Sequence, residues 1–465
     1  MHTDEAVHAV ILGEMLETGA YRYNPHDSHG PLLYYLSYPV LRVLGLHGLP
    51  GMEAWHLRLI SALVGTATVL SLAFWVKDLG ATAMLISAFV LALSAPFVYY
   101  QRYFIHEGLF VLLTLVLLLC LRAVVANRAS TGAALSVGVV TALLFATKET
   151  APLVLLASCL AAAGAWFTQK GARSQVQLWN SAGVRALLLA ALIFLIVSLL
   201  FYSSFGANIP GLADALTAPL RFVHRAGGEG HEKPWWTYLD WLFARTAYTI
   251  PWSGWIVSGL AGTAAILRWN LTLVRFLFFF TLASGIIYSL IPYKTPWLEL
   301  NILAPAALLA GVGAEAWWEA AGKFRPGLIL LAVLAVIGLG RETVETCFVH
   351  PADARNALAY SPTVGDVDRL AATVQQLKSA YPNDPDNFIE VISTDYWPLP
   401  WYLRRLQPVG YWSEIPPDLK GDILITSPDL LPALLAKIGP GWKIDYFGLR
   451  PEVLAVVLSK PVPHE

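Results

Sequence analysis

The chain has 465 residues, 56% of them apolar and 14% charged, with a mean hydropathy of +0.57 and a net charge of −1. Soluble domains carry about 25% charged residues, so this composition excludes a water-soluble globular protein over most of the length and makes lipid the solvent. The balanced charge carries no surplus that would point to nucleic acid, and three cysteines exclude a disulfide framework.

The first element is Asp4-Glu5 followed by an amphipathic stretch, 6–18, with Ala6, Val7, Val10, Ile11 and Met15 apolar. It predicts a helix lying in the membrane interface and stopped by Gly19. Carboxylates near a helix N-terminus are favoured by its dipole, so on local grounds the acidic pair is a cap. Next comes His26-Asp27-Ser28-His29-Gly30-Pro31, then Leu32-Leu33-Tyr34-Tyr35. Two histidines around an aspartate are metal-ligating types, but the spacing fits no fixed metal motif and a polar turn is the simpler reading.

A spanning helix needs about 20 apolar residues. Ten segments qualify: 58–76, 81–100, 108–126, 132–148, 151–167, 186–204, 246–267, 272–292, 298–317 and 327–345. With residue 1 placed outside, one set of loops carries Lys77, Arg122, Arg128, Lys170, Arg173, Arg185, Arg268, Arg275, Lys323 and Arg325. Basic loops are cytoplasmic, so the acidic start, the 205–245 loop and the tail lie outside. The threading leaves Asp4 outside with no span before it, which implies a missing first span and eleven in all. The tail is polar and Pro-rich. It predicts strands over Phe388–Ser393, Asp422–Thr426, Trp442–Phe447 and Val453–Leu458, and helices over Val367–Ala380 and Asp429–Ile438.

The expected architecture is therefore an all-α polytopic membrane domain with a small C-terminal extracytoplasmic α/β domain. Residues 1–57 form a first external loop, 58–345 the membrane domain and 346–465 the tail domain.

Three cations break the charge rule for external turns: Arg102 in Tyr99–Glu107, Lys148 in Ala146–Thr150 and Lys294 in Pro292–Trp297. Each stands at a span end, where a cation must be solvated or paired. Singly, each reads as snorkelling or local pairing. Together they suit an anion at the membrane surface, such as a lipid phosphate.

The ordered set Asp4-Glu5-Ala-Val-His8, His29-Gly-Pro-Leu-Leu-Tyr-Tyr35, Arg58-Leu-Ile-Ser-Ala62, Tyr100-Gln-Arg-Tyr-Phe-Ile-His-Glu107, Thr147-Lys-Glu149, Tyr293-Lys-Thr-Pro-Trp297 and Tyr396-Trp-Pro-Leu-Pro-Trp-Tyr-Leu-Arg404 resembles the GT-C membrane glycosyltransferases over nearly the whole chain. Protein O-mannosyltransferases and the lipid A aminoarabinose transferase belong to that superfamily. A prokaryotic branch labelled flippase-activity-associated is the nearest in pattern. The resemblance implies inverting transfer of a hexosyl or pentosyl group from a polyprenyl-phosphate donor to an extracytoplasmic glycan, lipid or protein acceptor at the plasma membrane.

By the same resemblance Asp4 is the base candidate, with Glu5 beside it. Arg102, Lys148 and Lys294, with His29, would face the lipid phosphate. His106 and Glu107, and with them His26 and Asp27, would serve the acceptor or a divalent cation. The Trp residues of the tail and Pro234-Trp-Trp236 are candidates for stacking on sugars, although interfacial anchoring is the commoner use. Span interiors nearly free of charge favour surface chemistry over a lipid-linked sugar flippase. A non-catalytic accessory subunit with the same fold is the third alternative.

Overall fold

The computed structural model describes residues 1–24, 29–125, 131–169, 181–226, 232–244, 248–380 and 388–460. Helix α1 (Thr3–Thr18) ends at Gly19, whose φ of +72° closes the last turn. Its buried face carries Glu5, Ala6, His8, Ala9, Leu12 and Leu16, while Val7, Val10 and Ile11 are only half-buried. The helix is thus packed into the protein, on a face that keeps Ala6 and Met15 of the apolar stripe read in the sequence but adds Glu5 and His8.

The apolar helices follow: α2 (Leu32–Val43), α3 (Ala54–Leu79), α4 (Ala81–Leu93), α5 (Ala95–Tyr100), α6 (His106–Val125), α7 (Thr131–Phe145), α8 (Ala151–Phe167) and α9 (Ser181–Tyr202). After the surface helix α10 (Pro210–Ala226) come α11 (Trp252–Leu267), α12 (Thr272–Leu290), α13 (Leu300–Ala320) and α14 (Arg325–Val344). Each of the ten expected apolar segments contains helix among its described residues. Five helices among the described residues are long and apolar enough to cross a membrane: Ala54–Leu79, Val184–Tyr202, Thr272–Leu290, Pro296–Ala320 and Gly322–Val349. Helices α4, α7, α8 and α11 are apolar but shorter.

The segment 81–100, expected as one span, is two helices. Pro96 lacks an N–H and its ring clashes with the carbonyl four residues back, so it sits in the first turn of a new helix, and Ser94 before that helix is extended. Neighbours satisfy the freed backbone, as a break at membrane depth requires. The Ala95 N–H donates to Ser253 Oγ at 3.0 Å, and Thr343 Oγ1 donates to the Leu93 carbonyl at 2.7 Å. Helix α13 is the hub, buried along most of its length between α4, α11 and α12.

The tail holds α15 (Asp366–Ser379), β1 (Ile389–Ile392), α16 (Leu399–Tyr402), β2 (Val409–Trp412), β3 (Ile423–Thr426), α17 (Leu431–Ile438), β4 (Lys443–Arg450) and β5 (Val453–Ser459). The sheet order is β2-β1-β3-β5-β4, with β2, β1 and β3 parallel and β5 antiparallel to both β3 and β4. Residues Ile389 and Val391 face Val367, Leu370 and Val374 of α15, while Ile392 and Leu424 face Leu434 of α17. Burial on both faces is why β1 and β3 read as unbroken apolar runs rather than alternations. Strand β2 escapes the sequence reading because its four residues, Val-Gly-Tyr-Trp, follow a proline and alternate in nothing.

The tail is docked against the residues just before α3. Arg404 donates through Nε to the Met52 carbonyl at 3.1 Å, lies 3.4 Å from Glu53 and stacks 3.9 Å from the Trp401 ring. The aromatic motif 396–404 therefore works as a clamp.

Candidate active site

The N-terminus of α1 is closed by His2. Its Nδ1 accepts the Asp4 N–H at 3.2 Å and its Nε2 donates to the Tyr360 carbonyl at 2.7 Å. This pair of bonds fixes the neutral tautomer with the proton on Nε2. Glu5 is fully buried and accepts four hydrogen bonds: His2 N–H at 3.0 Å, Phe104 N–H at 3.1 Å, Arg58 Nε at 3.0 Å and Arg58 Nη2 at 2.8 Å. Burial pushes its carboxyl up, but the Arg58 hydrogen bonds and charge outweigh that and hold it below its ordinary value. Every lone-pair direction is engaged, which makes Glu5 an anchor for the start of α1.

Asp4 is the opposite case. Its side chain is 42% exposed, and its nearest basic neighbour is His2 Nδ1 at 4.0 Å. That nitrogen is the unprotonated one, so among the described residues the Asp4 carboxylate is free to accept a proton from elsewhere.

The His29-Gly30-Pro31 loop is pinned to the turn 146–149. The Gly30 N–H donates to the Thr147 carbonyl at 3.1 Å, and the Leu32 N–H to that of Ala146 at 2.8 Å. His106 Nε2 donates to the Gly30 carbonyl at 3.0 Å. A Cβ on residue 30 would lie 2.2 Å from the Ala146 oxygen, so only glycine permits the approach. The approach brings His29 Nδ1 to 2.9 Å from Glu149 Oε2. Beside it the Lys148 ammonium is bound to Glu107 Oε1, both groups buried. Burial pushes the Glu149 carboxyl up, yet His29 and Lys148 bring it down to about 2. His29, Lys148 and Glu149, with Tyr293, Thr295 and Trp297, line a cavity of about 70 Å³.

Residues 292–297 reach this cavity from the other side. Lys294 is 1% exposed, its ammonium bound to the Ile291 carbonyl. Burial and the nearby Lys233 push its pKa down. Lys233 is tied to the same turn through its N–H, 3.0 Å from the Pro292 carbonyl, and its Nζ lies 5.3 Å from the Tyr360 ring centroid. Burial, then Tyr293 and the Asp4 carboxylate, raise the Tyr360 phenol.

Arg102 stands apart from the lysines. Its Nη1 donates to the Cys347 carbonyl and its guanidinium lies 4.4 Å from the Phe348 ring centroid. It lines a second cavity, of about 190 Å³, with His2, Arg58 and Tyr103. Trp297 touches both regions: it lines the first cavity, and its ring lies 6.5 Å from that of His2 and 5.3 Å from that of Tyr360.

The structure brings the start of α1 close to residues of the turns 99–107, 146–150 and 292–297. The sequence did not foresee the pairing of Lys148 with Glu107 or of His29 with Glu149, nor the separation of Arg102. Arg58 appeared only as a motif residue, and Lys233 and Tyr360 gave no sign, because their partners lie far away in the chain. His26 and Asp27 lie outside the described residues. Trp401 of the tail motif is buried, whereas Trp235 and Trp236 are 60% and 52% exposed.

A divalent cation does not fit Glu107, because the Lys148 ammonium occupies its carboxylate. His8, His29 and His106 cluster with ring centroids 4.7–6.3 Å apart. Their bonds run to Tyr34, Glu149 and Gly30, and no set of three ligating side chains among the described residues is arranged for a metal.

No family model matches the sequence, and no curated protein matches it. Solved structures do. ArnT from Cupriavidus metallidurans, both in the apo state and bound to undecaprenyl phosphate, superposes with a TM-score of 0.66 at 15% identity, covering 98% of this chain and 94% of that one. The archaeal oligosaccharyltransferase AglB from Archaeoglobus fulgidus, in complex with an inhibitory peptide and a dolichol-phosphate, gives a TM-score of 0.58 at 11% identity, covering 92% of this chain and 66% of that one. The chain therefore shares the fold of ArnT and of AglB.

Proposed function

We propose that the chain is a membrane glycosyltransferase that moves a sugar from a polyprenyl-phosphate donor to an acceptor hydroxyl, with inversion and with Asp4 as general base. The observation that carries this is the division of labour in the acidic pair. Glu5 is consumed by four hydrogen bonds, while the Asp4 side chain is 42% exposed and has no side-chain hydrogen bond among the described residues.

In this reading Asp4 takes the proton of the acceptor hydroxyl as that oxygen attacks the anomeric carbon, and the polyprenyl phosphate leaves as its anion. Phosphate is a good leaving group and needs stabilisation of charge more than protonation. Lys148 and His29 supply it from the smaller cavity, with Lys233 and Lys294 adding positive potential from the turn behind it. The ion pairs to Glu107 and Glu149 hold Lys148 and His29 in place before the donor arrives. The undecaprenyl phosphate and the dolichol-phosphate seen with ArnT and AglB support a lipid-phosphate donor for a chain of the same fold.

About ten spans, an extracytoplasmic active site, the division at residues 57 and 345, and a plasma-membrane location complete the proposal. The deciding experiment is transfer from a polyprenyl-phosphate-sugar by the protein in lipid nanodiscs, comparing wild type with Asp4→Asn. Loss of transfer with donor binding retained supports the reading. Transfer at the wild-type rate would remove Asp4 as the base. Scrambling of the lipid-linked sugar in vesicles without transfer would turn the reading to a flippase.

A further inference from the structure

The larger cavity beside α1 has no role in donor binding as described above, and its lining has a distinct chemistry. It holds two guanidinium groups, Arg58 and Arg102, and no carboxylate. The Arg58 charge is matched by Glu5 beneath it. Arg102 has no carboxylate within ion-pairing distance among the described residues, and its one anchor, Nη1 to the Cys347 carbonyl, leaves Nε and Nη2 without a partner there. Packing against the Phe348 ring fixes the plane of the group. A fixed fork of N–H donors without a counter-charge suits an oxyanion held by two hydrogen bonds.

The opposite wall is aromatic. Tyr103 stacks on Tyr99 with centroids 5.0 Å apart at 24°, and their hydroxyls are 2.8 Å apart. Such a face packs against the C–H groups of a sugar ring. At about 190 Å³ the space suits one ring and its substituent rather than an extended chain. His2 belongs to the same lining, and Asp4 Oδ2 stands 4.0 Å from its Nδ1. The base candidate thus stands next to one residue of the lining.

We propose that this cavity is the acceptor site and that it takes a sugar unit bearing an anionic group, phosphate or carboxylate. The proposal rests on the glycosyltransferase reading and names the acceptor class for it. Trp297 and His2 then divide acceptor from donor, and Arg102 leaves the donor-phosphate set for the acceptor set.

The test is equilibrium binding to the full chain in nanodiscs with three probes: glucose 1-phosphate, glucuronate and glucose. At least one anionic sugar is expected to bind ten times more tightly than glucose or better, and the stronger of the two identifies phosphate or carboxylate as the source. Arg102→Gln is expected to abolish that preference, and Arg102→Lys to restore part of it. Ala352→Asp, on an exposed wall residue, places a carboxylate in the cavity without touching either arginine and should weaken the anionic probe tenfold or more. Undecaprenyl phosphate should bind equally to all variants.

Glucose binding as tightly as the charged sugars would overturn the proposal. So would insensitivity to Ala352→Asp, or a loss of undecaprenyl phosphate binding in Arg102→Gln, which would return that residue to the donor. Wild-type protein that fails to bind undecaprenyl phosphate, yet binds an anionic sugar through Arg102, would remove the donor reading and leave this site standing as an anionic-sugar site.

Discussion

Arg58 grips Glu5 through both carboxylate oxygens, Nε to Oε1 at 3.0 Å and Nη2 to Oε2 at 2.8 Å. The pair ties the first turn of α1 to α3, and the Phe104 N–H on the same carboxylate ties both to the turn before α6. Glu5→Gln removes the charge and leaves Arg58 with an incomplete partner. Removal of one member of a buried pair costs about 3–5 kcal/mol; partial exposure of Arg58 puts the expected loss near the lower bound. Thermal unfolding in detergent should show a clear drop for Glu5→Gln and almost none for Asp4→Asn.

Activity should show the reverse contrast. Positioned general bases contribute about 10²–10⁴ in rate, so Asp4→Asn should lose that factor at unchanged donor affinity. Measured kcat within a factor of two of wild type would contradict the assignment.

Gly30 makes the third case. A methyl at this position meets the Ala146 carbonyl at 2.2 Å, and that carbonyl is held by the Leu32 N–H. Gly30→Ala should cost roughly 1–3 kcal/mol or more, as overpacking does, and should part His29 from Glu149. Donor binding, measured with undecaprenyl phosphate, should fall along with stability.

His8 sets a pH dependence. It is buried, bonded through Nδ1 to the Tyr34 hydroxyl at 2.8 Å, and its pKa is lowered from 6.5 to about 3 by burial first, then by His29, Lys148 and His2. The unfolded chain takes up this proton near pH 6.5 and the folded one only near pH 3. The unfolded state therefore binds more protons between those values, and stability falls as pH drops through that window. The slope from this residue alone is about 1.4 kcal/mol per pH unit. The unfolding midpoint should decline from pH 6.5 toward pH 4, and His8→Gln should flatten that decline.

The helices were legible because lipid imposes a simple demand: twenty or so apolar residues, with backbone bonds closed within the segment. That demand reads off a single stretch of chain, as in 272–292, which folds as Thr272–Leu290. The break at Ser94 was written in Pro96 but masked by the apolar residues on both sides. The site was legible only as a side. Charge asymmetry put Arg102, Lys148 and Lys294 at one end of the helices, but being at one end is not proximity. Lys148 found Glu107, 41 positions away, and Arg102 found the Cys347 carbonyl, 245 positions away. Such partners are set by how α6, α8 and α14 pack, and no local pattern encodes that.

The bond from His2 to the Tyr360 carbonyl joins residues 358 positions apart. The first turn of α1 is therefore closed by a segment made far later than the helix itself. At a synthesis rate of about 5–20 residues per second, the proposed base waits some tens of seconds for its neighbour to emerge. The tail domain, through the linker that precedes it, becomes the last part of the lock to be fitted rather than an appendage. Cutting the chain after α14 should leave a membrane bundle whose first helix has lost its latch.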